Sequence, residues 1–452
     1  MTLITELPCE LVASILRSLD DIQSLTPALL SCRHIYSSFK QNPGIEAEII
    51  RQHLTPALAP YSVALAEAYR LPRPREGAAV QLLLSTLYDD PAQLTARLPS
   101  MPTVILKKMA RTHDLIHSAA YKFATKAWHR LHRDEDEGTS DSVKLSPTEY
   151  FRFCRVFYRV ELFYNLFSEK TKVVDGVIQS TVLIEGRDPW FFNKHTPWEN
   201  EQIGCVHDFL EAELAKASFE VVAHDVDFGE FSIDYLTDGD DNHYRQLWVS
   251  SLQKREKKVL HFASRSMSLM KRQLSQGIDF LHRVTCETSW DKKRELLQLH
   301  FDTGDANLPW ALNEVLQDRD DIRNVFLGPE TDDKLQLLMP DHESEEDVDK
   351  GPYEMWHLSH TGLPLAGGFM WGDNDWLRDR AYVLWDWDRI EKHRLLEKFK
   401  GPPEKVRDLY TDQDWQEMQE SFNERSLIWQ KGGSGYWSKG DTSRIVWPDR
   451  SS

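Results

Sequence analysis

The chain has 452 residues, 41% of them hydrophobic and 11% aromatic, with 15 Trp and a formal net charge of −18. Single hydrophobic cores stop growing at about 250–300 residues, so two or more folded units are expected, and the apolar content excludes global disorder. The acidic balance argues against a general affinity for phosphate backbones, which depends on cation-rich surfaces, so no nucleic-acid partner is expected.

A membrane-spanning helix needs roughly 20 apolar residues, and the longest apolar run, Leu363 to Trp371, is short and broken by two glycines. No membrane partner is expected. The segment Met1-Thr2-Leu3-Ile4-Thr5-Glu6 has no basic region ahead of an apolar one and does not read as a secretory signal. Cys9, Cys32, Cys154, Cys205 and Cys286 are odd in number and scattered, with no C-x-x-C pair. They read as reduced thiols of an intracellular protein, in the cytoplasm or nucleus.

The first element in chain order lies within residues 7–39. Leu11, Ile15 and Leu19 stand at i, i+4 and i+8 with Val12 and Leu16 beside them, which makes an apolar stripe along a short helix. Leu25, Leu29 and Leu30 form a second apolar set after Asp20-Asp21. Two or three short helices of this kind would pack together and leave apolar surface uncovered. About 40 residues are too few to fold alone, so a partner or the rest of the chain must cover it. Residues 1–45 are therefore set apart as one module and 46–132 as a helical connecting region.

The acidic stretch from Arg133 to Ser142 cannot contribute to a core, so 133–145 is read as a linker before a larger C-terminal domain, 146–452. A second acidic stretch, Asp341 to Asp347, is read as a loop at 341–350. Ser146-Pro147-Thr148-Glu149 combines a capping box with proline at the first helical position. It opens a helix to Phe167 along which aromatic residues recur. Thr196-Pro197-Trp198-Glu199 repeats the signal, followed by Ile203, Val206, Phe209, Leu210 and Leu214 at helical spacing. Helices are also expected across Leu252–Val284 and Asp414–Gln430, and short strands in Val173–Ile184 and Ala381–Trp387. The fold class is mainly α: a three-helix N-terminal motif, then a larger, mostly helical domain with a few short strands. No fixed-period repeat is present.

Candidate chemistry is sparse. Asp238-Gly239-Asp240-Asp241-Asn242 starts like a calcium loop, but His243 stands where glycine is needed and Val249 where the bidentate glutamate belongs. His129 with His132 and His357 with His360 are i, i+3 pairs without a third ligand at fixed spacing. His207 and Glu211, at i and i+4, read as a surface pair, and Cys205 points away from His207 on a helix. Gly432-Gly433-Ser434-Gly435-Tyr436 is neither a nucleophile elbow nor a phosphate loop and reads as a glycine-rich linker. The basic run Lys254 to Lys258, with Arg265 and Lys271-Arg272, reads as a solvated helix face, and the tryptophans of the last 90 residues as core. No catalytic residue, metal or cofactor is expected.

Residues 7–39 resemble the F-box. Leu7, Pro8, Glu10, Leu11, Ile15, Leu16, Leu19, Asp20, Leu25, Cys32 and Arg33 match its pattern, Tyr36 supplies the late aromatic, and Asp21 stands where a proline is usual. The wider pattern, with Pro197-Trp198-Glu199 and the Trp-rich end, resembles an uncharacterised family of filamentous-fungal F-box proteins. The resemblance implies a three-helix motif that docks on the Skp-type adaptor of a cullin-RING ubiquitin ligase, while the remaining chain chooses an unknown protein substrate. Leu7, Pro8, Leu11, Ile15, Leu16 and Leu19 are the expected partner-binding residues. The chain is then an adaptor in the ubiquitin pathway and not itself an enzyme. The alternatives are a metal-dependent hydrolase-like enzyme centred on 207–243, or an interaction module that assembles no ligase.

Overall fold

A computed structural model describes residues 4–73, 75–132, 143–167, 171–174, 177–180, 187, 189–226, 272–298, 308–309, 311–312, 349–361, 375–399 and 412–448. The fold is mainly α. It divides into two compact units: one of residues 1–168, 181–206 and 308–401, the other of 169–180, 207–307 and 402–452.

The first unit begins with three short helices, α1 (Cys9–Arg17), α2 (Ile22–Ser31) and α3 (Arg33–Gln41). They are followed by α4 (Ile45–His53), α5 (Ala59–Arg70), α6 (Gly77–Asp89), α7 (Pro91–Thr95), the long α8 (Thr103–Leu131) and α9 (Pro147–Phe167). Helices α1 and α2 pack on α3, α1 also packs on α4, and α2 and α4 pack on α8. Helix α5 packs on α9 and α8 on α9, with Phe123 and Phe153 meeting edge-to-face at 5.7 Å. Packing is thus continuous across the expected linker. Its residues 133–142 lie outside the described ones, whereas Val143 and Leu145 are buried. The boundaries expected at 45 and 133 do not follow the compact units.

Helix α9 starts as its residues predict. The Ser146 N–H donates to Glu149 Oε2 at 2.9 Å and the Glu149 N–H donates to Ser146 Oγ at 3.0 Å, which is the reciprocal capping box. Residues Phe151 to Phe167 are all buried, so the helix is enclosed on every side. Enclosure includes Arg152, Arg155 and Arg159, which fall on one face at i, i+3 and i+7. Burying unpaired cations is prohibitive, and each has its acceptor. Arg152 donates to the Leu384 carbonyl at 2.8 Å and to Asp386 at 3.1 Å; Arg155 and Arg159 share Glu199 at 3.1 and 3.2 Å.

Glu199 belongs to the first turn of α10 (Pro197–His224), whose start is a second capping box. The Thr196 N–H donates to Glu199 Oε2 at 3.0 Å, and the Glu199 N–H donates back to Thr196 Oγ1 at 3.3 Å.

The expected strand at 381–387 is instead a buried turn leading into a helix that starts at Trp387. Four helices complete the described part of this unit: α13 (Gly351–Thr361), α14 (Asp375–Arg378), α15 (Trp387–Lys392) and α16 (Leu395–Lys398). Ala381 to Asp386 are all buried, and side chains take the place of a partner strand: Gln202 donates to the Val383 carbonyl, Arg152 to that of Leu384, and the Asp386 N–H donates to Glu149. Apolar β-formers wrapped onto α9 satisfy their backbone this way without a sheet. Gly351 opens α13 against the same turn. A Cβ there would stand 2.5 Å from the Trp385 carbonyl oxygen and 2.7 Å from the Trp387 nitrogen, both backbone atoms. Gly351→Ala is therefore expected to cost about 1–3 kcal/mol, read as a lowered midpoint in thermal unfolding; an unchanged midpoint would show that the turn yields freely.

His113 of α8 is buried, with Tyr158 Oη 3.0 Å from its Nδ1 and the His53 and His117 rings at 5.3 and 6.5 Å. Burial, reinforced by the two neighbouring imidazoles, pushes it down to about 4. A histidine held below its ordinary value of about 6.5 favours the folded state fully above that pH, and the contribution disappears as pH falls toward 4. The unfolding free energy from urea titration is expected to fall between pH 6.5 and 4.5 in the parent by an amount on the order of 2 kcal/mol, and less in His113→Gln. Parallel curves for the two would refute the assignment.

The second unit contains the hairpin of β1 (Thr171–Val174) and β2 (Val177–Ser180), antiparallel with Thr171 opposite Ser180. It also holds α10 from His207 onward, α11 (Ile278–Cys286), α12 (Trp290–Gln298) and α17 (Asp412–Gln430). The helix expected through Leu252–Val284 is interrupted: Gly277, at φ 84°, ends a turn before α11, and 252–271 lie outside the described residues. The expected glycine-rich linker is a hairpin. Gly432 takes φ 80° after α17, and β3 (Ser434–Gly435) pairs with β4 (Ile445–Val446). Val226, Ile428, Trp437 and Ile445 form a small core beneath it. Tryptophan placement is split: Trp385 and Trp437 are buried, whereas Trp429 and Trp447 are exposed.

Candidate partner-binding face

Helix α1 is amphipathic in an unusual way, because apolar side chains occupy two of its faces. Val12, Ala13 and Leu16 are buried, whereas Leu11 is 52% and Ile15 45% exposed. Pro8 precedes the helix in extended geometry, and its carbonyl accepts the Leu11 and Val12 N–H groups at 3.0 and 3.2 Å. Proline suits this place because it needs no donor and has φ preset. The Leu7 carbonyl is bonded to His34 Nε2 at 2.9 Å, which ties the start of α1 to α3. Asp21 caps α2, its Oδ1 accepting the Gln23 N–H at 3.0 Å, so aspartate starts this helix by hydrogen bonding.

Of the six expected residues, Pro8, Leu11 and Ile15 reach the surface together, at i, i+3 and i+7 along one outward stripe. Leu7 and Leu19 are half-buried. Leu16 is only 3% exposed, on the inward side with Val12, and this corrects its assignment as a contact residue: it supports the module from within. Other large apolar side chains left exposed in the same module are Ile4, Leu30 and Tyr36, the last with Lys40 over its ring at 5.7 Å. Fully burying an exposed leucine or isoleucine is worth about 1.5–3 kcal/mol, so half-exposed Leu11 and Ile15 together offer about 2 kcal/mol to a partner.

Other sequence candidates separate in space or lie out of view. The His132 ring lies against Trp128 in a tilted contact, centroids 4.1 Å apart, and bonds to its carbonyl, while His129 is exposed. The 238–249 stretch, the basic run 254–272 up to Lys271, and the His360 side chain lie outside the described residues. His207 and Glu211 are not a surface pair: His207 is 3% exposed and Glu211 half-buried, because the side of α10 they occupy is enclosed. Two features escaped the sequence reading altogether, the Arg152–Arg155–Arg159 stripe and Asp208 beside His207. The arginine spacing inside an aromatic run was the available signal for the first.

Among the described residues no helix is long and apolar enough to cross a membrane. No family model, curated protein or solved structure matches the chain.

Proposed function

We propose that this chain is an F-box-type adaptor: α1–α3 dock on the Skp-type adaptor of a cullin-RING ubiquitin ligase inside the cell, and the rest of the chain receives a protein substrate. One observation carries the reading. The outward stripe Pro8–Leu11–Ile15 remains exposed after the inner face of the same helix has been covered by α3 and α4. Contiguous exposed apolar side chains on a short helical module mark interaction surfaces. Chemistry on ubiquitin belongs to the other subunits of such a ligase, so the adaptor needs surfaces only. Mixing the purified chain with a purified Skp-type adaptor should give a stoichiometric complex on size exclusion. A mixture that elutes as two separate proteins at micromolar concentration sinks the proposal.

A further inference from the structure

Within the second unit, α10 brings His207, Asp208 and Glu211 together: one donor atom from each lies within 4.8 Å of the others. The i, i+4 spacing of His207 and Glu211 reads in the sequence as a surface pair; Asp208 adds a third donor beside them. His207 is 3% and Asp208 4% exposed, so this is an enclosed grouping and not a solvated acidic surface.

The His207–Asp208 spacing is long for a hydrogen bond and fits shared coordination. His207 Nδ1 and Asp208 Oδ1 are 3.4 Å apart, and this is the one hydrogen-bond contact of the ring among the described residues. Good N–H···O bonds fall at about 2.7–3.2 Å. Two ligands at 2.0–2.1 Å from one tetrahedral cation are separated by about 3.3–3.4 Å, which is the observed spacing. Glu211 lies one helical turn beyond His207, where the i, i+4 relation stacks the two side chains on one face. Two carboxylates beside a buried imidazole concentrate negative charge where desolvation is costly, and a dication offsets both charges at once. Asp208 and Glu211 have further interactions of their own, as ligating carboxylates commonly do.

We propose that His207, Asp208 and Glu211 form a binding site for one divalent transition-metal cation, with zinc the best match. Mixed nitrogen and oxygen donors suit zinc over calcium or magnesium, which take oxygen shells. Three protein ligands leave a fourth position for water or an added ligand. The site is independent of the face on α1.

The test uses the full chain, stripped with chelator and dialysed, then titrated with zinc chloride by calorimetry and with cobalt(II) by visible absorption. The expected result is one equivalent bound at micromolar affinity or tighter, weaker at acidic pH because ligands must be deprotonated, with the d–d bands of four-coordinate cobalt. His207→Gln and Glu211→Gln should each weaken zinc binding by at least about tenfold. Half-buried Glu211 carries the comparison if His207→Gln fails to fold, as circular dichroism will report. The proposal is overturned if the folded parent takes up no zinc, or if folded Glu211→Gln binds it as the parent does.

Discussion

The Ile15→Asp variant is expected to bind a Skp-type adaptor at least about 100-fold more weakly than the parent while keeping its helix content and melting temperature. In the free chain the side chain is 45% exposed, so the introduced carboxylate stays hydrated. Surface substitutions of this kind change stability by about 0.5 kcal/mol or less. In the proposed complex the same position would be closed off from water, and an unpaired carboxylate there costs several kcal/mol. A 100-fold loss needs only about 2.7 kcal/mol, so the penalty exceeds it.

The neighbouring residue supplies the control. Leu16 points inward at 3% exposure, and Leu16→Asp should disrupt the unit that α1–α3 share with α4, α8 and α9. Loss of binding in Leu16→Asp is then a consequence of unfolding, visible in circular dichroism. Equal binding by Ile15→Asp and the parent would defeat the adaptor assignment. A cooperative collapse caused by Ile15→Asp would show that residues 7–39 belong to the common core and are no docking module.

How far the sequence foretold this arrangement depended on the range of each interaction. The two capping boxes, Ser146–Glu149 and Thr196–Glu199, were legible because donor, acceptor and helix start lie within four residues, and both form. The apolar stripe on α1 was legible as a stripe. Its division into exposed Leu11 and Ile15 and buried Leu16 was not, because helical spacing does not say which neighbour arrives on which side. Segment 381–387 carries strand-forming residues, yet its backbone partners are side chains from residues 149, 152 and 202, a pairing across about half the chain that no local pattern contains. The same limit hid the burial of His207.

The largest stability effect is expected at Glu199, where Glu199→Ala should cost about 3–5 kcal/mol by leaving Arg155 and Arg159 buried with their shared counter-charge removed. Both guanidiniums are 3% exposed or less, and Glu199 lies 3.1 and 3.2 Å from them. Burial opposes the charge on Glu199, but Arg159 and Arg155 together outweigh it, and the Thr196 N–H helps to hold the carboxyl well below the usual carboxylate range. A carboxyl depressed in the folded state contributes stability that is fully present above its ordinary value of about 4.3 and lost as pH falls below it. That window lies below the one assigned to His113, so the two can be separated in one pH series. Chemical denaturation at pH 7 should show the alanine variant far less stable, with a flatter pH dependence below 4.3. Replacing all three residues by Met, Leu and Met should recover much of the loss, since a buried ion triad is costly to break yet replaceable by well-packed apolar groups. A Glu199→Ala variant within 1 kcal/mol of the parent would mean that water reaches the two arginines, and the enclosed character of α9 would have to be abandoned.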